Sequence, residues 1–180
     1  SAPCVNIHPS LLPKYRGPSP IRTAIMNGDT ESGVCLMQMT NELDAGDILM
    51  CEKFNIDIDD TNETVEEKVS KIGAKMIFEY MENPQKYPPI PQSGKIVYTA
   101  KTGVYDEIID WKKSPIEIHN LVRALGAGRT KINGIDVKIL KTKMNGDNLE
   151  ILTVQPAGKK PMDWKSFVNG LRGAEIKYGE

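Results

Sequence analysis

Apolar residues recur along this chain with two different periods. Continuous apolar runs at residues 4–8, 34–39 and 48–58 predict strands, and the turn-forming Leu43-Asp44-Ala45-Gly46-Asp47 joins the second run to the third. The first run passes into Pro9-Ser10-Leu11-Leu12-Pro13, where two prolines forbid regular structure, so that strand is expected to end in a rigid loop. A short helix is predicted over about 19–26, closing at Asn27-Gly28. From Thr61 the period becomes helical: Val65, Val69, Ile72, Met76, Ile77 and Tyr80 line one side, Thr61-Asn62-Glu63-Thr64 supplies cap residues, and Pro84 ends the run.

Residues 84–95 hold Pro84, Pro88, Pro89 and Pro91 with Gly94, a stiff composition that predicts a linker. The expected division is into residues 1–93 and 98–180, with the linker at 84–97. Beyond it, Ser114 and Pro115 open an amphipathic helix. Strand patterns at 129–132, 135–142 and 149–154 follow, separated by the hairpin signals Asn133-Gly134 and Asn145-Gly146-Asp147. The expected fold is therefore α/β, with a small OB-like β-barrel at the C-terminal end, and such barrels often bind oligonucleotides.

Composition narrows this picture without changing it. A chain of 180 residues with 39% hydrophobic and 26% charged residues builds one or two ordinary globular cores. No apolar stretch approaches the roughly 20 residues that span a bilayer, and no basic leader precedes an apolar run; no membrane association and a cytoplasmic place are expected. Cys4, Cys35 and Cys51 each lie in an apolar run, which predicts buried thiols rather than a disulfide or a zinc site. The net charge of -1 is unevenly spread. Residues 1–104 hold 10 Lys and Arg against 14 Asp and Glu, whereas residues 105–180 hold 13 against 10, so the basic half is the one suited to a nucleic acid.

Only two histidines are available for chemistry. His119 reads as a structural or exposed position on the helix after Ser114. His8 lies where a strand meets a proline-locked loop, and Asn6, two residues earlier, shares its face. An amide can donate to the oxygen of a tetrahedral intermediate while an imidazole takes a proton from an attacking amine. A carboxylate would orient that imidazole, and Asp44 and Asp47 are both candidates. No paired-histidine metal motif, phosphate-cradling glycine loop or Gly-x-Ser-x-Gly elbow occurs.

The run Asn6-Ile7-His8-Pro9-Ser10-Leu11-Leu12-Pro13-Lys14-Tyr15-Arg16-Gly17 resembles the signature of 10-formyltetrahydrofolate-dependent formyltransferases. The likeness continues through Gly28-Asp29-Thr30, Gly33-Val34, Met37-Gln38-Met39 and residues 43–47. It implies the later part of a Rossmann-like formyltransferase domain followed by the OB-like module. It also implies Asn6, His8 and Asp44, rather than Asp47, as catalytic residues, and Ser10, Leu11, Leu12 and Pro13 as the folate-binding segment. The implied co-substrate is 10-formyltetrahydrofolate, with no metal.

The second half resembles the branch of that family acting on methionyl-tRNA. The likeness lies in Tyr98, Ile109-Asp110-Trp111, Val122-Arg123-Ala124-Leu125, Gln155-Pro156-Ala157-Gly158-Lys159-Lys160-Pro161-Met162 and Phe167-Val168-Asn169-Gly170. The implied acceptor is initiator methionyl-tRNA, formylated for translation initiation by a monomeric enzyme in the bacterial cytoplasm or an organellar matrix. Lys101, Lys112, Lys159 and Lys160 are the implied tRNA contacts. Two departures stand out: the family's first βα half is expected before this chain, and Gly126-Ala127-Gly128-Arg129-Thr130 replaces an Asn-Pro-Trp-Pro-Gly-Ala type segment. Two alternatives carry over: a non-catalytic tRNA-binding fragment, and a relative that formylates a sugar nucleotide or hydrolyses the formyl donor.

Overall fold

Strand β1 (Val5–His8), helix α1 (Pro20–Met26) and strands β2 (Glu31–Gln38) and β3 (Ile48–Asn55) open the fold. The computed structural model describes residues 4–179. β2 lies between β1 and β3 and is antiparallel to both. The strand begins before its apolar run, because Glu31 to Gly33 also pair, with Asn55 to Lys53 of β3, and Ser32 and Gly33 are buried with it. β3 stops short of the apolar run's end, where the Asp60 amide donates to the Asp57 carbonyl in a turn that leads into a helix.

That helix, α2 (Asn62–Glu82), begins at the expected cap: Thr64 N–H donates to the Thr61 hydroxyl, and Thr61 N–H donates to the Thr64 hydroxyl. Val65, Val69, Ile72 and Met76 follow at helical spacing. Val69, Ile72 and Met76 pack, with Val34, Leu36 and Leu49, against one face of the sheet, and Val65 is buried as well. Full burial, as of Val34, Leu36 and Met76, contributes roughly 1.5–3 kcal/mol per side chain relative to exposure. Gly73 of α2 lets the helix approach β1 closely, since a Cβ there would stand 2.9 Å from Ile7 Cγ2. The alternation of a strand then leaves Cys35 and Met37, with Asn6 and His8 beside them in register, on the opposite face.

Two expectations change in this region. Cys35 and Cys51 are direct cross-strand partners and form a disulfide, and Cys4 is exposed. Their spacing across the hairpin, not their apolar setting, decides this, because antiparallel register places them opposite one another. The proline-rich stretch expected to act as a linker belongs to the first unit, which comprises the described residues up to Ala24 and Asp29–Lys101. Ile48 and Ile90 exchange backbone hydrogen bonds of 2.8 and 2.9 Å, and Val97 and Thr99 bond to Pro13 and Arg16. Proline cannot donate to a ladder, but the residues between the prolines can pair along an edge.

The second unit comprises Ile25–Gly28 and the residues from Thr102 onward. Helix α3 (Pro115–Leu125) has Ser114 as N-cap and Gly126 as its left-handed C-cap. Strands β4 (Gly128–Ile132), β5 (Ile135–Asn145), β6 (Asn148–Pro156) and β7 (Met162–Asp163) form an antiparallel sheet in that order, and α4 (Trp164–Gly170) follows. Asn133 and Gly134 both have positive φ, 49° and 76°, as a two-residue hairpin of this twist demands. Ile118, Val122, Ile132, Ile139, Val154 and Phe167 belong to its core. The α/β class holds, but both sheets are small and antiparallel, and neither closes into the expected barrel among the described residues. The fourth strand is two residues long and hands over directly to α4, whose N-cap is Asp163.

Candidate active site

His8 ends β1 on the sheet face away from α2 and is 3% exposed. Its Nε2 lies 3.0 Å from the Tyr15 carbonyl oxygen. A carbonyl only accepts, so Nε2 carries a hydrogen and, in the neutral ring, Nδ1 carries the lone pair. Nδ1 lies 3.7 Å from Asp44 Oδ2. Any proton the ring gains therefore arrives at Nδ1, beside a carboxylate. Asn6 is half-buried on the same face, and its side chain makes no hydrogen bond among the described residues. An amide, an imidazole nitrogen and a carboxylate thus share one face, with the amide left to bind something else.

The loop after β1 is built around these atoms. Tyr15 is buried with φ 63°, a left-handed conformation that costs on the order of 1–2 kcal/mol for a residue with a side chain. The conformation is held from several sides: His8 bonds to its carbonyl, its hydroxyl donates to Asp29 Oδ2 at 2.8 Å, and Lys14 Nζ donates to the same oxygen at 2.7 Å. The hydrogen bond to Asp29 holds the Lys14 ammonium above the usual lysine range, against a smaller opposing effect of burial. Gly17 N–H donates to Asp44 Oδ2 at 2.8 Å. Residues 15 and 17 therefore hold the two titratable partners from one short segment.

Asp44 has φ 48° in the loop between β2 and β3. Asp47, the other candidate, lies at the base of that loop, where its carbonyl accepts from Gln38 N–H. Gln92 Nε2 donates to the carbonyls of both Asp44 and Gly46 at 2.8 Å, and Gln92 Oε1 accepts from Arg16 Nε and Nη2 at 3.1 and 2.7 Å. Arg16 is 4% exposed, and its Nη1 lies 3.6 Å from Glu42 Oε1. Tyr15, Arg16 and Gly17 all lie in the formyltransferase-like run that starts at Asn6, but residue type alone gives none of them a role. Gln92 carries a single signal in the sequence, an amide directly after Pro91 in a stretch whose composition reads as a linker, and nothing there points to the loop of Asp44.

The remaining predicted residues are placed less simply. Ser10 is fully buried and its hydroxyl donates to the Lys14 carbonyl. Leu12 packs with Cys35 and Met37, Pro13 is buried, and Leu11 lies against Gly33. These side chains shape the loop from inside. Lys101, Lys112, Lys159 and Lys160 are all exposed; Lys159 and Lys160 share the turn between β6 and β7, Lys112 precedes α3, and Lys101 ends the first unit. His119, read as structural or exposed, is buried in the second unit with Nδ1 2.8 Å from the Thr142 hydroxyl. Among the described residues no cluster of His, Cys, Asp or Glu could hold a metal, and no helix is long and apolar enough to cross a membrane.

Residues 1–81 match the formyl transferase family model, and residues 101–148 match the model of the formyl transferase C-terminal domain. A methionyl-tRNA formyltransferase of Coprothermobacter proteolyticus is 36% identical over 97% of this chain and 66% of its own length. The chain belongs to the formyl transferase family. It spans 63% to 66% of the length of the curated relatives it matches. Among solved formyl transferases, the N-formyltransferase of Helicobacter canadensis, in complex with folinic acid and dTDP-3-aminofucose, is 29% identical with a TM-score of 0.68. That match covers 78% of this chain and 54% of the other. A methionyl-tRNA formyltransferase from Clostridium thermocellum gives a TM-score of 0.72 over 86% of this chain and 68% of its own, and at 19% identity that likeness is one of fold.

Proposed function

We propose that the complete protein transfers the formyl group of 10-formyltetrahydrofolate to the amino group of methionyl initiator tRNA. The observation that carries the chemistry is the His8–Asp44 pair at the end of β1, with Asn6 two residues earlier on the same face of the strand. In this reading the acceptor amine attacks the formyl carbon, forming a new C–N bond, and the Asn6 amide donates to the oxygen as it becomes negative. His8 takes the amine proton at Nδ1, where Asp44 stabilises the resulting imidazolium. Collapse of the intermediate breaks the bond to N10 of the folate, and the proton passes to that nitrogen. Tetrahydrofolate leaves, and atoms and charge balance without a metal.

The methionyl-tRNA acceptor rests on the names of relatives such as that from Coprothermobacter proteolyticus, and on the basic balance of residues 105–180. We assign the folate to the face bordered by the 10–13 loop, with backbone rather than the inward-turned Ser10 and Leu12 side chains making its contacts. Lys101, Lys112, Lys159 and Lys160 would meet tRNA phosphates. Such an enzyme works as a monomer in the bacterial cytoplasm or an organellar matrix. The likeness to the Helicobacter canadensis protein supports a second reading, an amino-sugar nucleotide as acceptor. Formyl transfer assayed on the complete protein with charged initiator tRNA, and separately with an amino-sugar nucleotide, decides between them. Turnover of the tRNA alone, lost in His8→Ala, is the expected result. Turnover of the sugar alone overturns the acceptor, and an undiminished His8→Ala overturns the chemistry.

A further inference from the structure

The loop that carries Asp44 has little apolar packing of its own: Met39 is 60% exposed and Leu43 58%, and Glu42 is a surface side chain. Its internal bonds run from Gln38 N–H to the Asp47 carbonyl at 2.9 Å, from the Thr40 hydroxyl to the Glu42 carbonyl, and from Ala45 N–H to the same Glu42 carbonyl at a long 3.4 Å. Only the last touches the peptide of Asp44, weakly and at its N–H end. The carbonyl end is held from outside the loop at 2.8 Å, by the Gln92 amide, 48 positions away in sequence.

The Gln92 side chain has one orientation available. Both Nε2 hydrogens go to carbonyls, those of Asp44 and Gly46, and Oε1 receives two hydrogens from the buried Arg16 guanidinium. A flipped amide would oppose oxygen to two carbonyls and NH2 to a cation. Arg16 is itself fixed through its backbone, with its N–H on the Val97 carbonyl and its carbonyl receiving Thr99 N–H at 2.9 and 2.7 Å. Arg16 also stands between Tyr15, which accepts from His8, and Gly17, which donates to Asp44. One tripeptide therefore meets the base, the carboxylate and the amide that positions the carboxylate.

We propose that Gln92 and Arg16 are positioning residues for formyl transfer: they hold Asp44 at the distance and angle at which it supports His8. This rests on the role of the His8–Asp44 pair proposed above. The 84–99 stretch is then part of the catalytic apparatus, and its prolines serve to present one amide rigidly.

The discriminating variant is Gln92→Glu in the complete protein. The glutamate keeps an oxygen for Arg16 but has no hydrogen for the Asp44 and Gly46 carbonyls, so the fold's anchor survives and the hold on the loop is lost. Expected is a fall in kcat on the order of 10- to 100-fold, with KM for the formyl donor and the thermal midpoint little changed. Introduced into an Asp44→Ala background, the same substitution should cause no further loss, because it acts through Asp44. Losses that multiply in the double variant, or an unchanged kcat in the single one, overturn the proposal. Gln92→Asn, too short to span both partners, checks the result by a second route and should also lower kcat. If Asp44→Ala alone leaves turnover intact, it is the underlying chemical reading that fails, and the two failures are distinguishable.

Discussion

The two units solve different problems with the same kinds of element. In the second, one cluster that includes Ile109, Ile118, Val122, Ile132, Ile139, Val154 and Phe167 fills the space between α3, α4 and the sheet, and fewer polar groups are buried, among them His119, which pairs with Thr142 of β5. In the first, the apolar core is divided between the two faces of a three-stranded sheet, and buried polar residues are numerous: His8, Ser10, Arg16, Ser19, Ser32, Asp60 and Asn62. Large apolar side chains such as Phe78 and Met81, each 68% exposed, remain outside. A region organised by apolar burial resists deformation but presents no chemistry. A region organised by directional hydrogen bonds can hold a carboxylate near an imidazole, and depends for it on a few atoms.

Substitutions should separate these two modes. The largest stability effect is expected in the second unit, where Ile139 is completely buried. Ile139→Ala should cost about 2–5 kcal/mol in denaturant unfolding, with kcat of the surviving folded enzyme nearly unchanged; a loss below about 1 kcal/mol would mean that this core is looser than its burial indicates. A smaller effect is expected at Asp60 in the first unit. Burial alone would raise its pKa, but hydrogen bonds from Lys68, the Asp57 amide and Thr64 outweigh it and hold the carboxyl below its ordinary value of 3.8. A carboxylate with a depressed folded pKa stabilises the fold above its unfolded value and loses that contribution as pH falls through the folded one. Asp60→Ala should cost about 1–3 kcal/mol near neutral pH, and the difference from wild type should shrink below pH 3.8. A difference that persists into acid would contradict the assignment. The smallest effect is expected from Lys159→Ala and Lys160→Ala, each lowering the salt-dependence slope of tRNA binding by about 1 with no change in stability. An unaltered slope removes them from the contact surface.

Much of the fold was legible in the sequence because its signals are local. Thr61 and Thr64 cap α2, Ser114 and Pro115 start α3, and Asn133-Gly134 turns β4 into β5, each through interactions within a few residues. The features that were hidden depend on register or on partners distant in sequence. The Cys35–Cys51 disulfide follows from which residues face each other across a hairpin, and the role of Gln92 from a contact 76 positions away to Arg16. α4 was hidden for another reason: Trp164–Gly170 is too short for its apolar spacing to stand out. Asn6, His8 and Asp44 were nameable from residue type and motif, but the tautomer was not. It is set by the carbonyl of Tyr15, whose positive φ no composition reveals.

The central claim, that Asp44 acts on His8 as a charged partner, is tested most directly by the kcat of formyl transfer in Asp44→Asn. An asparagine of the same shape retains an oxygen for Gly17 N–H and keeps the loop in place while removing the charge beside Nδ1. A fall on the order of 100-fold or more is the expected result. A kcat within about twofold of wild type would contradict it.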